Sequence, residues 1–201
     1  MNTVLVGKDN INEIVELLCK DEVVAFPTET VFGLGVRYGS FDALEKLYEL
    51  KHRSKNKAIT LMVNDIKDID KFGYVNNQAK KIIEAFMPGM ITIILKKKAV
   101  VDNRYTSGLE TIGIRIPDDP FVLELLKQVG PMLVTSANIS GEPALLCHQE
   151  VLNIFDGKIK MIVEGNCVTN QPSSVVDLSK GSYEILRKGD ISKEQIEEVL
   201  K

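Results

Sequence analysis

The chain has few of the residues that build several common sites. Of 201 residues only two are histidine, His52 and His148. Three are cysteine, Cys19, Cys147 and Cys167, with no Cys-x-x-Cys spacing. A zinc centre built from several histidines is excluded, and an odd, scattered cysteine set points to reduced thiols rather than a disulfide framework. The neighbours Cys147 and His148 have no companion ligands and read as incidental, so no metal residue is assigned. No run approaches the roughly 18 apolar residues of a membrane span, and the N-terminus lacks the apolar core of a signal peptide. The expectation is a cytoplasmic protein with no membrane partner. Also missing are Gly-x-x-x-x-Gly-Lys-Ser/Thr, a Gly-x-Gly-x-x-Gly after a strand, His-Glu-x-x-His and Gly-x-Ser-x-Gly. A nucleotide would need a less common cradle.

Excess positive charge is missing too. The 25 Lys and Arg against 28 Asp and Glu give a net charge of −3, which speaks against coating a polyanion. What is present is ordinary globular composition, 44% hydrophobic and 26% charged, enough apolar surface to fold. Length favours one large domain, residues 1–201.

Strands and helices alternate along the chain. Val4–Val6, Val23–Phe26, Ile59–Val63, Ile91–Leu95, Thr111–Ile116, Met132–Thr135, Met161–Val163, Ser174–Asp177 and Glu184–Leu186 read as strands. Helices are expected up to Cys19 from an Asn10 or Asn12 cap, over Phe41–Leu50 behind Ser40, and toward Phe72. Others are expected from about Gln78 to Phe86, from Asp119-Pro120 to Val129, and from Ser192 to Leu200. Gly33, Gly35 and Gly39 read as loop punctuation. The pattern predicts an α/β fold around one open sheet.

Three segments could carry chemistry. Phe26-Pro-Thr-Glu-Thr-Val-Phe-Gly-Leu-Gly35 sets Thr28, Glu29 and Thr30 just after a buried strand, where open α/β sheets bind ligands. A turn with self-satisfied threonines is the plainer alternative. Lys51-His-Arg-Ser-Lys-Asn-Lys57 repeats charge at period two. If extended, it turns Lys51, Arg53, Lys55 and Lys57 to one side, a surface suited to phosphate. As a helix it would scatter them, and a solvated basic face is the usual fate of such a run. Leu133-Val-Thr-Ser-Ala-Asn-Ile-Ser-Gly141 runs a short strand into Ser136 and Asn138. Arg115 and Arg187 sit inside apolar stretches, where an unpaired charge is costly, so each is a paired structural residue or a ligand anchor. Lys96 to Lys98 read as a solvated strand end.

In this order the segments resemble the YrdC-like threonylcarbamoyl-AMP synthase family, in its short form without an extra C-terminal domain. The matching stretches are 26–35, 51–63, Pro88-Gly89 with 91–95, 113–120, 131–143, 172–177 and 185–189. The resemblance implies a twisted, largely parallel and partly antiparallel open sheet with surrounding helices and a deep basic cleft. It implies that L-threonine, bicarbonate or CO₂, and ATP with Mg²⁺ give threonylcarbamoyl-AMP and pyrophosphate. The product would serve threonylcarbamoyl modification of the adenosine beside the tRNA anticodon, through downstream tRNA threonylcarbamoyltransferase proteins.

The family's Lys-x-Arg and Ser-x-Asn signatures fall on Lys51, Arg53, Ser136 and Asn138. By the resemblance Arg53, Lys57, Asn138 and Arg187 contact ATP. Thr30, Arg115, Ser136 and Ser173 contact threonine or its carbamate. Lys51 faces the reacting groups and, with Arg53, carries the catalytic charge. Met62 stands where some members have a histidine near the threonine, and Ser54, Ala58, Met87, Met90 and Ser174 are further departures. Glu29 could be a base, a structural acceptor or a metal contact. Two alternatives stay beside this reading: a paralogue forming a different carbamoyl-adenylate, and a double-stranded RNA-binding module. A transient contact with double-stranded RNA or tRNA belongs among the implied partners.

Overall fold

A computed structural model describes residues 2–201. Its strands are β1 (Val4–Val6), β2 (Val24–Phe26), β3 (Gly33–Arg37), β4 (Thr60–Met62) and β5 (Ile91–Lys96). They continue with β6 (Thr111–Arg115), β7 (Met132–Ser136), β8 (Met161–Val163), β9 (Ser174–Asp177) and β10 (Glu184–Arg187). All ten join one open sheet in the order β1-β8-β2-β3-β7-β4-β6-β5-β9-β10. Among the neighbouring pairs, β1/β8, β2/β8, β4/β6 and β5/β9 are parallel, and the other five are antiparallel. The sheet is therefore mixed, with antiparallel pairs slightly in the majority rather than largely parallel. The short β2–β3 connection forces an antiparallel pair, and β7 then pairs antiparallel with both β3 and β4.

The helices are α1 (Ile11–Cys19), α2 (Phe41–Leu50), α3 (Ile66–Phe72), α4 (Asn77–Phe86), α5 (Pro120–Val129), α6 (His148–Phe155) and α7 (Lys193–Leu200). Side chains alternate across a strand, and β2 feeds two cores. Val24 and Phe26 of β2 pack with Ile14 and Leu18 of α1 and Val122 and Leu125 of α5. Ala25 between them joins Leu44 and Leu47 of α2, Ile82 of α4, Phe155 of α6 and Ile196 of α7 on the other face. Among the described residues no helix is long and apolar enough to cross a membrane.

Local chemistry sets the helix starts. Ser40 Oγ accepts from Ala43 N at 3.2 Å, and Asn76 Oδ1 accepts from Ala79 N at 2.8 Å. Asp119 Oδ1 accepts from Phe121 N and Val122 N at 2.9 and 3.1 Å, with Pro120 opening α5. Ser192 and Gln195 close a reciprocal capping box on α7. Asn10 precedes α1 but makes no side-chain cap bond.

Two regions depart from the sequence-based expectation. Gly33 and Gly35 lie inside β3 instead of a loop. A Cβ on Gly35 would stand 2.6 Å from Phe26 Cε1, so the glycine is there to seat the ring of the adjacent strand. Helix α6 was not foreseen. Its N-cap, Cys147, makes no side-chain cap bond, so the usual start signal is missing.

Candidate functional site

A pocket of about 140 Å³ lies against the sheet face that carries α1 and α5. Thr60 and Met62 of β4, Thr92 of β5, Arg115 of β6, and Val134 and Ser136 of β7 line it. They point the same way because Thr60 pairs with Val134, and Met62 with Arg115. The site thus spans one face of the sheet rather than a row of strand ends. The 27–32 connection contributes Thr28 and Thr30, the 172–173 segment Pro172 and Ser173, and the outer strand Arg187.

Three guanidiniums, from Arg53, Arg115 and Arg187, line this pocket, and no carboxylate does. Arg53 donates from Nε to Lys57 O (3.0 Å) and from Nη2 to Ala58 O (2.8 Å). Arg187 wraps Ser173, with Nε to its carbonyl at 2.9 Å and Nη2 to its Oγ at 3.1 Å. Ser173 Oγ also meets Thr92 Oγ1 at 2.9 Å. Burial lowers the Arg187 pKa most, and the charges of Arg115 and Arg53 lower it further. Burial also lowers that of Arg53. Neither has a carboxylate partner among the described residues. Arginine does not shed its proton in a protein, so an anion in the pocket would relieve this mutual repulsion.

Arg115 is the anchored member. Its Nη2 donates to Glu29 Oε1 at 2.6 Å, its Nε to Gly89 O at 3.2 Å, and both Nη groups to Thr30 Oγ1 at 3.1 Å. Thr28 Oγ1 donates to Val31 O at 2.8 Å, so the 3.0 Å contact between the two threonine hydroxyls runs from Thr30 to Thr28. Thr30 then has its proton and both lone pairs in use, and its hydroxyl orients Arg115. Glu29 lies outside the lining. Its Oε1 also accepts from Asp118 N at 2.8 Å, while its buried Oε2 has no partner.

Of the residues singled out in the sequence, Thr30, Arg53, Arg115, Ser136, Ser173 and Arg187 come together around the pocket. Lys57 is exposed and outside the lining, offering only its carbonyl to Arg53. Lys55 is exposed and pairs with Glu45. The 51–57 segment is a series of turns after α2, neither extended nor helical, so its charges do not share a side. Lys51 is 1% exposed and points at the turn after β7, not into the pocket. Asn138 is buried against it. Thr60 and Thr92 were missed as pocket residues. Their signal was a lone hydroxyl on the inward face of an otherwise apolar strand.

A sequence model described as "Telomere recombination", which groups Sua5, YciO and YrdC proteins, matches residues 16–189. The chain belongs to the Sua5/YciO/YrdC family. Within it, the chain is 39% identical over 194 residues to the threonylcarbamoyl-AMP synthase of Bacillus subtilis, covering 94% of this chain and 56% of that one. Its fold matches Pyrococcus abyssi Sua5 complexed with L-threonine, with a TM-score of 0.93 and 29% identity, covering 98% of this chain and 61% of that one. It also matches Escherichia coli YciO, with a TM-score of 0.87 and 25% identity, covering 97% and 98%. The chain thus spans little more than half of the Bacillus protein and nearly all of the YciO structure.

Proposed function

We propose that this Sua5/YciO/YrdC-family chain is a threonylcarbamoyl-AMP synthase, an AMP-transferring enzyme acting on L-threonine, bicarbonate or CO₂, and ATP. The observation that carries the reading is the meeting of Arg53, Arg115 and Arg187 around one pocket with no facing carboxylate. Such a site lacks anions, and the substrates supply a carboxylate, a carbamate and a triphosphate. The synthase name of the Bacillus relative and the threonine bound to the Pyrococcus relative support the same reading.

In this proposal Arg115, held by Glu29 and Thr30, fixes the threonine carboxylate. Ser136 and Ser173 complete the amino-acid side. The threonine amine and CO₂ form a carbamate, whose oxygen attacks the α-phosphorus and displaces pyrophosphate. Arg53 and Arg187 offset the charge that spreads over the phosphate oxygens; Lys57 and Asn138, which lie outside the pocket lining, would meet only a triphosphate that extends beyond it. Catalysis rests on positioning and electrostatics, with no protein nucleophile. Among the described residues no three His, Cys, Asp or Glu side chains gather to cage a metal. Mg²⁺ would therefore arrive as MgATP, held by the phosphates. The product would pass to tRNA threonylcarbamoyltransferase proteins in the cytoplasm, with tRNA contact transient at most.

One observation favours a second reading, a paralogue forming another carbamoyl-adenylate: the Met62 thioether lines the pocket and offers no strong hydrogen bond. The test is purified protein with labelled threonine, bicarbonate and MgATP, run beside serine and other amino acids. Threonine-dependent pyrophosphate and the adenylate are expected. Turnover with a different amino acid selects the second reading, and no turnover from a folded protein removes both.

A further inference from the structure

Lys51 closes α2 and is more deeply buried than any other cation at this site. An ammonium has three N–H donors. Here all three go to one turn: Ser136 O at 2.5 Å, Asn138 O at 2.7 Å and Asn138 Oδ1 at 2.8 Å. The Lys51 carbonyl accepts from Ser140 N at 2.9 Å, a fourth bond between the same two segments. Asn138 passes the constraint on. Its Oδ1 also accepts from Ser136 Oγ at 2.8 Å, and its Nδ2 donates to Glu142 O at 2.5 Å. Ser136 lines the pocket and Lys51 does not. Reaching a ligand would cost Lys51 at least one of its three acceptors.

We propose that Lys51 is a positioning residue. Its ammonium pins the Ser136–Asn138 turn against the end of α2 and so sets the pocket-facing Ser136, without itself touching the ligand. The exchange arm of the test is independent of the synthase reading, and the titration and activity arms rest on it. The division of labour suits the two cation types. The arginines give permanent charge and planar forks toward the pocket, whereas the lysine offers a compact three-donor node. Burial, then the charge of Arg53, pulls Lys51 down to about 7, so it is a weaker fixed counter-charge than its neighbours.

The test uses the whole protein and three readouts. First, amide hydrogen exchange over residues 136–142 is compared, without ligand, in wild type and Lys51→Met. Exchange there should quicken at least tenfold while α5 is unchanged; equal exchange in the two proteins overturns the proposal. Second, wild type at pH 6 is followed by ¹⁵N NMR during titration with MgATP. The Arg53 and Arg187 signals should move and the Lys51 Nζ signal should stay. A Lys51 shift as large as those of the arginines overturns the proposal, and this readout does not require the variant to fold. Third, Lys51→Met should raise KM for ATP and threonine about tenfold, with a smaller change in kcat. A loss confined to kcat, with KM unchanged, overturns it. If wild-type protein forms no pyrophosphate, the synthase reading fails alone, and the exchange readout still decides the role of Lys51.

Discussion

The Arg115 guanidinium and the Glu29 carboxylate meet at 2.6 Å with side chains only 5% and 11% exposed, so the pocket's central cation is built on a buried ion pair. A pair of this kind adds little net stability, but removing one partner strands the other charge.

Glu29→Ala should therefore destabilise the fold by about 3–5 kcal/mol. Glu29→Gln, which keeps an acceptor for Arg115, should lose much less. Urea denaturation checks this, and an alanine variant as stable as wild type would remove Glu29 as the anchor of Arg115.

Arg187 has the opposite character, since its charge is opposed by Arg115 and Arg53 and answered by no carboxylate. Arg187→Leu should change the ligand-free melting temperature by less than about 4 °C, the shift that ~1 kcal/mol causes at this chain length. The stabilisation by MgATP, about 2.7 kcal/mol at 100 times Kd for wild type, should largely vanish. Differential scanning fluorimetry with and without MgATP reads both. Undiminished stabilisation would take Arg187 out of the anion site.

How much of this was legible beforehand depended on the range of the interaction. Ser40, Asp119-Pro120 and Ser192 announced α2, α5 and α7 because a cap acts within three residues. Gly35 misled because its reason, the Phe26 ring, belongs to another strand. The strand order was hidden for the same cause: β4 sits between β6 and β7 through contacts far apart in the chain. At the site, residue types were readable and directions were not. Lys51 and Arg53 are two positions apart, yet one turns to the Ser136–Asn138 turn and the other to the pocket, because the segment is neither strand nor helix.

Gly189 offers a test from outside the pocket. A Cβ there would lie 2.5 Å from Pro172 O and 2.5 Å from Ser174 N, both backbone atoms. Gly189→Ala should push the 172–174 segment away and cost roughly 1–3 kcal/mol, the usual penalty for overpacking. It should also raise KM for threonine through Ser173. Steady-state kinetics and urea denaturation check the two parts, and wild-type values in both would mean that the segment yields freely.

Lys51 carries a pH signature. Its folded pKa, about 7, lies below the ordinary lysine value. The unfolded chain therefore holds more protons between about pH 7 and 10, and stability must rise with pH across that window. Below pH 7 the full penalty of burying the charge applies. Wild type should gain stability relative to Lys51→Met as pH climbs from 7 to 10. A pH-independent difference between the two would place the lysine pKa in its ordinary range.

The thiols should divide by burial. Cys167 is pushed up to about 11, chiefly by burial, whereas Cys19 is exposed. At pH 8 iodoacetamide should modify Cys19 at least tenfold faster than Cys167, because the thiolate is the reactive form. Peptide mass spectrometry reads the rates, and equal rates would contradict the shift.

The position of Arg187 on β10 has a consequence for how the site comes into being. The strand that delivers this guanidinium lies at the edge of the sheet and attaches only through β9, which rests on β5. The strands from β1 to β8 end at Val163, so they can pair with one another while Arg187 is still undocked. Until β10 docks, the pocket holds two cations rather than three and, under the proposed function, would hold nucleotide poorly. The last strand to arrive brings the charge that makes the cavity want its ligand.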